Sequence, residues 1–203
     1  MTTRICALAA VAAVALLGTA CPGPSGGSIF PMTVGNVWNM SYYMLYGTAQ
    51  PLDTWATATI TTTALAKANL SNGKEVVKFK QESTVHYKQS DNTTVDTEYT
   101  YMAEVGDSLK SYISLSDTIG MITMMLNPAV GQTWQDSGAT GTVIGQEDVT
   151  VAAGTYKGAW KVQLDSAYQW FARGTGMVKQ HGDNTYLGYE MVYDEELTSA
   201  TIK

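Results

Sequence analysis

Cysteine, histidine and charged residues are scarce in this chain. Its 203 residues include two cysteines and two histidines, and Asp, Glu, Lys and Arg together make up 15%. So few cysteines exclude a small domain that is held together by disulfides. The two separate histidines have no metal-ligand spacing, and the scattered Lys and Arg residues form no basic stripe that could neutralise the phosphates of a nucleic acid. We therefore predict no metal, no cofactor and no nucleic-acid partner.

The N-terminus has the pattern of a signal peptide. A positive charge comes first, residues 5–17 are uniformly apolar, and three small residues then lead to Cys21. The apolar run is shorter than the roughly 20 residues that span a bilayer. We predict that residues 1–20 are removed, that residues 21–28 form a flexible tether, and that residues 29–203 form one domain.

The sequence LLGTAC at the end of this segment resembles the lipobox of bacterial lipoproteins, whose cysteine is lipidated and becomes the new N-terminus. It differs from the commonest pattern at Gly18, where Leu is usual, so cleavage at an ordinary secretory site is the alternative. The resemblance implies that acyl chains such as palmitate on Cys21 hold the protein on a membrane. Pro22 replaces the Asp that retains lipoproteins at the inner membrane in the best-known sorting rule. This favours the outer membrane if the organism is diderm.

In the rest of the chain, apolar and polar residues alternate with the period of a β-strand. The pattern is clearest over residues 75–88, and over residues 95–105 it predicts that Tyr99 and Tyr101 face the core. Turns rich in Gly, Asn and Ser separate the strands. We predict an all-β fold, with a single antiparallel, strongly curved sheet or partly closed barrel of roughly ten strands.

Two shorter segments have more than one interpretation. Residues 117–128 fit a short helix, a strand or a lid, and their methionines could bind copper(I) or fill an apolar gap in the core. The methionines concerned are Met121, Met124 and Met125. The pattern V-G-x-x-W ends at both Trp38 and Trp134. It indicates either a duplication or two similar turns that each anchor a core tryptophan.

Residues that could carry catalysis are few and dispersed. His86 and His181 lie in different segments. The acidic residues 194–196 follow a last strand predicted over residues 186–193, and we expect them in a polar tail. A G-x-S-x-G match at residues 23–27 lacks the flanking strand and helix of a nucleophile elbow. We therefore predict that the protein is not an enzyme.

One cluster is a candidate anion site. Arg173 and Lys179 flank the glycine turn of a predicted hairpin, with Tyr168 and Trp170 beside them. The alternative is that the aromatic rings pack in the core while the cations remain in water.

Three segments resemble a group of uncharacterised bacterial secreted proteins and lipoproteins. Residues 30–38, 149–156 and 170–179 are similar to its motifs F-P-L-x-x-G-x-x-W, V-x-V-P-A-G-T-F and W-Y-A-x-G-x-G-x-V-K. The chain departs from these motifs at four positions, which are Met32, Ala152, Tyr156 and Phe171. The resemblance implies a curved all-β domain related to periplasmic lipoprotein carriers, and it implies no particular activity.

These observations allow three hypotheses for the function. The first is a lipid-anchored, non-catalytic protein of the cell envelope, which acts as a structural module or binds a protein or polymer partner. The second is a carrier whose curled sheet holds an apolar molecule or lipid among the many Tyr, Trp and Met side chains. The third is a hydrolase, which would require His86 or His181 to meet a carboxylate and a nucleophile in space. We favour the first, with the membrane as a partner through Cys21 and an apolar ligand or an envelope protein as a further partner.

Overall fold

The computed structural model describes residues 27–48, 50–136, 139–186 and 188–203. The predicted signal peptide, the lipidated Cys21 and most of the predicted tether lie outside these residues. The described part of the chain contains twelve β-strands and no helical segment. Within it, no helix has the length and apolar character needed to cross a membrane.

The twelve strands form one antiparallel sheet, in which all the pairs are antiparallel ladders. Their order across the sheet is β6-β5-β4-β3-β2-β1-β12-β11-β10-β9-β8-β7. The prediction of a single antiparallel, curved sheet is confirmed. The strands are β1 (Val37–Gly47), β2 (Asp53–Asn69), β3 (Glu75–Tyr87), β4 (Asn92–Val105), β5 (Ser108–Tyr112), β6 (Met121–Met125), β7 (Thr133–Asp136), β8 (Ala139–Val151), β9 (Gly154–Leu164), β10 (Ala167–Ala172), β11 (Gly176–Tyr186) and β12 (Tyr189–Thr201).

The first and last strands pair with each other at the centre of the sheet. β12 is hydrogen-bonded to β1 on one side and to β11 on the other, and Val37 lies opposite Thr201. The prediction of a polar tail at residues 194–196 is therefore wrong, because these residues lie in the middle of β12. A strand with a ladder on both sides continues through polar residues, since its backbone groups are satisfied by its neighbours.

The sheet curls until its two edge strands come close together. The backbone N–H of Ile122 in β6 donates a hydrogen bond to the Asp136 carboxylate in β7, with 2.6 Å between nitrogen and oxygen. A side chain thus joins the edges where a backbone ladder would close a complete barrel. On the far side, the N–H of Ala153 donates to the carbonyl of Leu197 at 3.0 Å, so the end of β8 folds back onto β12.

The concave face of the sheet carries the main core, and the register decides which residues of β4 reach it. Met102 lies opposite Val77 and faces inward. Tyr99 and Tyr101 lie on the outer face, where the Tyr99 ring is 4.0 Å from the Lys78 ammonium. Tyr101 is partly buried there against a second, smaller core cluster, formed by Leu70, Val76, Ala103 and Tyr112. The prediction that Tyr99 faces the core is wrong, because alternation defines two faces of a strand without saying which one is covered.

The two V-G-x-x-W segments adopt similar turns. In each, the glycine N–H donates to a carbonyl of a neighbouring strand, from Gly35 to Ala64 at 2.7 Å and from Gly131 to Val143 at 2.9 Å. Trp38 and Trp134 follow at the start of β1 and β7, and they are 3% and 8% exposed. The structure agrees with two similar turns that anchor core tryptophans.

The segment before β1 covers one end of the curved sheet. Phe30 stacks on Trp38 with 5.1 Å between ring centroids, and its ring lies against Gly176 in the turn between β10 and β11. The carbonyl of Ser28 accepts a hydrogen bond from Gly174 in the same turn at 2.9 Å. Gly174 and Gly176 have φ angles of 73° and 96°, so the predicted glycine hairpin depends on positive φ.

Candidate functional site

A cavity of about 290 Å³ lies inside the curved sheet. This volume is near the lower end of the range for small-molecule sites and equals that of roughly ten liquid water molecules. Seven of its fourteen lining residues are aromatic or methionine, six are neutral and polar, and one is ionisable. They are Phe30, Trp38, Met40, Thr62, Phe79, Gln81, Thr100, Met102, Ser111, Thr123, Gln169, Phe171, Met177 and Glu195.

Glu195 is the ionisable residue of this lining. It lies in the middle of β12, opposite Tyr42 of β1 and Gln180 of β11. Among the residues that the structure describes, none forms a hydrogen bond or an ion pair with its carboxyl group. Burial raises the pKa of Glu195 from its ordinary 4.5 to about 7, because loss of water disfavours the charged form.

A short chain of polar side chains runs beside Glu195. The Gln169 Nε2 donates to Gln180 Oε1 at 2.8 Å, and Gln180 Nε2 donates to the Tyr193 hydroxyl oxygen at 3.3 Å. The Oε1 of Gln169 is buried and has no hydrogen-bond partner in the described part of the chain. A buried acceptor without a donor is costly. A ligand N–H or O–H would therefore be stabilised beside Gln169 Oε1.

Aromatic side chains continue the concave face beyond Glu195. Tyr42 and Tyr193 have ring centroids 6.1 Å apart. Tyr46 stacks on Tyr189 at 4.8 Å with an interplanar angle of 5°, and it also contacts Trp55 at 5.5 Å. Burial is the largest cause that raises the pKa of Tyr42, followed by the nearby Tyr193 and Glu195. Glu195 therefore lies between the cavity and an aromatic end of the sheet.

The structure brings together three of the four residues predicted for an anion site. Trp170 lies opposite Lys179 in the ladder, and Tyr168 is beside it with ring centroids 6.3 Å apart. The Lys179 ammonium is 2.7 Å from Glu196. The guanidinium of Arg173 lies in the adjoining turn and donates to a backbone carbonyl of the segment before β1.

The residues of the predicted anion site already contact other groups of the protein. Trp170 is 7% exposed, and its indole N–H donates to the Glu147 carboxylate at 2.6 Å. Lys161 lies over the Trp170 ring, 5.0 Å from its centroid, and is 3.5 Å from Glu147. An anion would have to compete with two carboxylates here, so the anion site remains a prediction without added support.

His181 meets a carboxylate on the outer face of β11 and β12. Its Nδ1 is 3.0 Å from Asp194, a residue that is 7% exposed. The other Asp194 oxygen accepts a hydrogen bond from the Tyr43 hydroxyl at 2.6 Å. That bond is the main cause that raises the pKa of Tyr43 to about 12, and burial adds to it. The neighbouring hydroxyl therefore holds its proton firmly, and it is not activated as a nucleophile.

The other predicted functional groups lie apart from this pair. His86 is exposed in β3, with Nδ1 3.3 Å from the Thr93 hydroxyl. Met124 is fully buried in the core and Met125 packs against it, whereas Met121 is 45% exposed. This arrangement favours methionines that fill an apolar gap in the core, and it does not favour a copper(I) site. Within the described ranges, no three His, Cys, Asp or Glu residues lie close enough to hold a metal ion.

Sequence reasoning missed Glu195, Gln169 and Gln180. Glu195 lies between two other acidic residues, and such a run indicates a solvated segment. A signal was present, because Tyr193, Glu195 and Leu197 alternate with the strand period after residue 189. Reading the strand through the acidic run would have placed Glu195 on the same face as the buried Leu197.

No protein-family model and no curated protein matches this chain. Among solved structures, a candidate lipoprotein from Parabacteroides distasonis is similar, with a TM-score of 0.41, 11% identity, and 86% of this chain and 99% of that chain covered. A candidate exported protein with a YmcC-like fold from Bacteroides fragilis has a TM-score of 0.38, 12% identity and the same coverage. Neither likeness, at a TM-score below 0.5, bears on the function.

Proposed function

We propose that this protein is a non-catalytic binding protein of the cell envelope, anchored through lipidated Cys21, that holds a small molecule with an apolar body inside its curved sheet. The cavity is the observation that carries the proposal. Its lining combines seven large apolar side chains with a few neutral polar groups, which is the usual composition of a small-molecule site. The anchor and the envelope location rest on the sequence LLGTAC.

The polar groups of the cavity support binding over a purely structural role. A core that serves stability alone pairs its buried polar groups. Here the Gln169 Oε1 is buried without a partner among the described residues, and the half-buried Glu195 carboxyl forms no hydrogen bond or ion pair with them. Both lie on residues that line the cavity, so a bound molecule could satisfy them together.

The outer face supports a non-catalytic role. His181 and Asp194 have the spacing of an oriented base, but the adjacent Tyr43 hydroxyl keeps its proton and donates a hydrogen bond to Asp194. A base–carboxylate pair requires a nucleophile or a substrate hydroxyl within reach of the base. Within the described ranges, Asp194 is the one residue whose side chain forms a hydrogen bond or ion pair with His181.

The test is binding of N-phenyl-1-naphthylamine, an uncharged apolar probe that fluoresces in dry surroundings. The protein is the mature chain with Cys21→Ser, so that neither acyl chains nor detergent compete for the probe. Thr100→Phe adds a ring to the cavity wall and should weaken probe binding by about tenfold or more. Thr97→Phe makes the same change on the same strand at an exposed position and should leave binding unchanged.

Thermal unfolding of both variants controls for loss of structure. If Thr100→Phe does not fold, Ser111→Phe fills the cavity from β5 in its place. Equal probe affinity in a folded cavity-filled variant and the wild type would show that the cavity is not the binding site.

A further inference from the structure

We propose that the ligand is an amphipathic amine, whose protonated amino group pairs with Glu195 and donates to Gln169 Oε1 while its apolar body occupies the cavity. This inference rests on the proposed function and names the chemical class of the ligand. It is carried by one carboxyl and one amide oxygen that have no partner among the described residues, in a lining whose fourteen residues include no basic one.

The charges around the cavity favour a cation. Glu195 is the one ionisable residue among the fourteen that line it. Tyr42 and Gln180 lie opposite Glu195 in the two flanking strands, and the phenol of Tyr193, two residues before Glu195 in β12, lies beside Tyr42. None of these is positively charged, so a fatty acid or a phosphate head group would find no counterion and would be repelled by the carboxylate.

The direction of the hydrogen bonds beside Glu195 also favours a ligand that donates hydrogen bonds. Gln169 donates to Gln180, and Gln180 donates to Tyr193. Each amide nitrogen therefore has a partner within this row of side chains, whereas Gln169 Oε1, at its end, has none among the described residues. A protonated amine has up to three N–H donors and no acceptor, which matches one carboxylate and one amide oxygen.

The aromatic rings in and beside the cavity also suit an apolar amine. Trp38, Phe79 and Phe171 line the cavity itself, and Tyr42 and Tyr193 lie together beside Glu195. Aromatic faces attract cations, and they also bury hydrocarbon. An apolar amine is stabilised by both properties, whereas an uncharged alcohol gains only from the second.

The experiment compares three molecules with the same hydrocarbon and different heads: octylamine, 1-octanol and octanoate. Each is titrated against the bound naphthylamine probe at about pH 8, using the mature chain with Cys21→Ser. Charge-assisted hydrogen bonds in a dry site are the strong ones. Octylamine should displace the probe at about tenfold to a hundredfold lower concentration than 1-octanol, and octanoate should be the weakest.

Variants assign the preference to the named groups. Glu195→Gln should remove most of the preference for octylamine over 1-octanol, and Glu190→Gln, an exposed site on the same strand, should change nothing. Gln169→Met keeps the carboxyl and should weaken octylamine by about threefold to tenfold, corresponding to one hydrogen bond. At about pH 5 the amine preference of the wild type should shrink, because Glu195 is then protonated.

The outcomes separate the two proposals. If 1-octanol or octanoate displaces the probe as well as octylamine does, the cavity binds apolar molecules and the amine assignment is wrong. A probe that binds but is displaced by none of the three also overturns the amine assignment. Failure of the probe itself to bind overturns the proposed function instead. An amine preference of the same size in Glu195→Gln and wild type would place the cation elsewhere and refute the role of Glu195.

Discussion

Replacing Glu195 by glutamine should stabilise the folded protein above pH 7 and leave its stability unchanged near pH 4. The carboxyl lies in β12 against the cavity, without a hydrogen bond or ion pair from the described residues. Glutamine has nearly the same shape and carries no charge at any pH. The substitution therefore removes the free energy of ionising this group inside the protein and changes little else.

The magnitude follows from the pKa of Glu195, which burial raises from 4.5 to about 7. Each pKa unit corresponds to about 1.4 kcal/mol, so ionised Glu195 destabilises the fold by up to about 3 kcal/mol. Below pH 4.5 the group is protonated in both folded and unfolded chains, and the penalty is absent. Between 4.5 and 7 the folded chain binds more protons than the unfolded chain, so the stability of the wild type falls as the pH rises. Above pH 7 the penalty is complete.

Urea denaturation of wild type and Glu195→Gln between about pH 4 and pH 9 measures this difference. The gain from the substitution should be near zero at the acid end, rise through the window from 4.5 to 7, and level off at about 2 to 3 kcal/mol. Glu190→Gln, at an exposed site of the same strand, should give a difference close to zero throughout. A gain for Glu195→Gln that does not vary with pH, or a loss of stability at pH 8, would refute the reasoning.

Two further predictions concern packing, and both use urea denaturation. Trp38→Phe should lower the free energy of unfolding by about 1 kcal/mol more than Trp134→Phe, because the Trp38 indole N–H donates a buried hydrogen bond of 2.6 Å to a backbone carbonyl; equal losses would contradict this. Gly141→Ala should cost about 1 to 3 kcal/mol, because a Cβ there would overlap the rigid Trp134 indole, whereas Gly145, also in β8, has open space. Gly145→Ala should change stability by less than about 0.5 kcal/mol, and similar losses for the two alanines would contradict the expected clash.

Local patterns in the chain were sufficient to predict most of the strands. The alternation over residues 75–88 predicts β3 to within one residue at its end, and the glycines at 174 and 176 mark the turn between β10 and β11. Strand period and turn chemistry are properties of neighbouring residues, so they can be read without knowing what lies across the sheet. The segment with Met124 was ambiguous, because a short apolar run fits more than one element.

The candidate site could not be predicted in the same way. Its lining comes from nine strands and from Phe30 in the segment before β1, and the pairing of β1 with β12 joins residues more than 150 positions apart, such as Met40 and Leu197. The sequence alone cannot reveal that Glu195 is enclosed by neighbours so distant along the chain.

By itself the sequence determined the class of fold, the placement of turns and the two tryptophan anchors, because these depend on local period and on backbone conformations that glycine permits. Only the tertiary structure decided which face of each strand is covered, as Tyr99 shows by lying exposed on the outer face. It also decided that the acidic run of β12 crosses the centre of the sheet. Burial is a property of the whole ladder, so the same carboxylate that would be solvated in a tail becomes, in β12, an unpaired group beside a cavity.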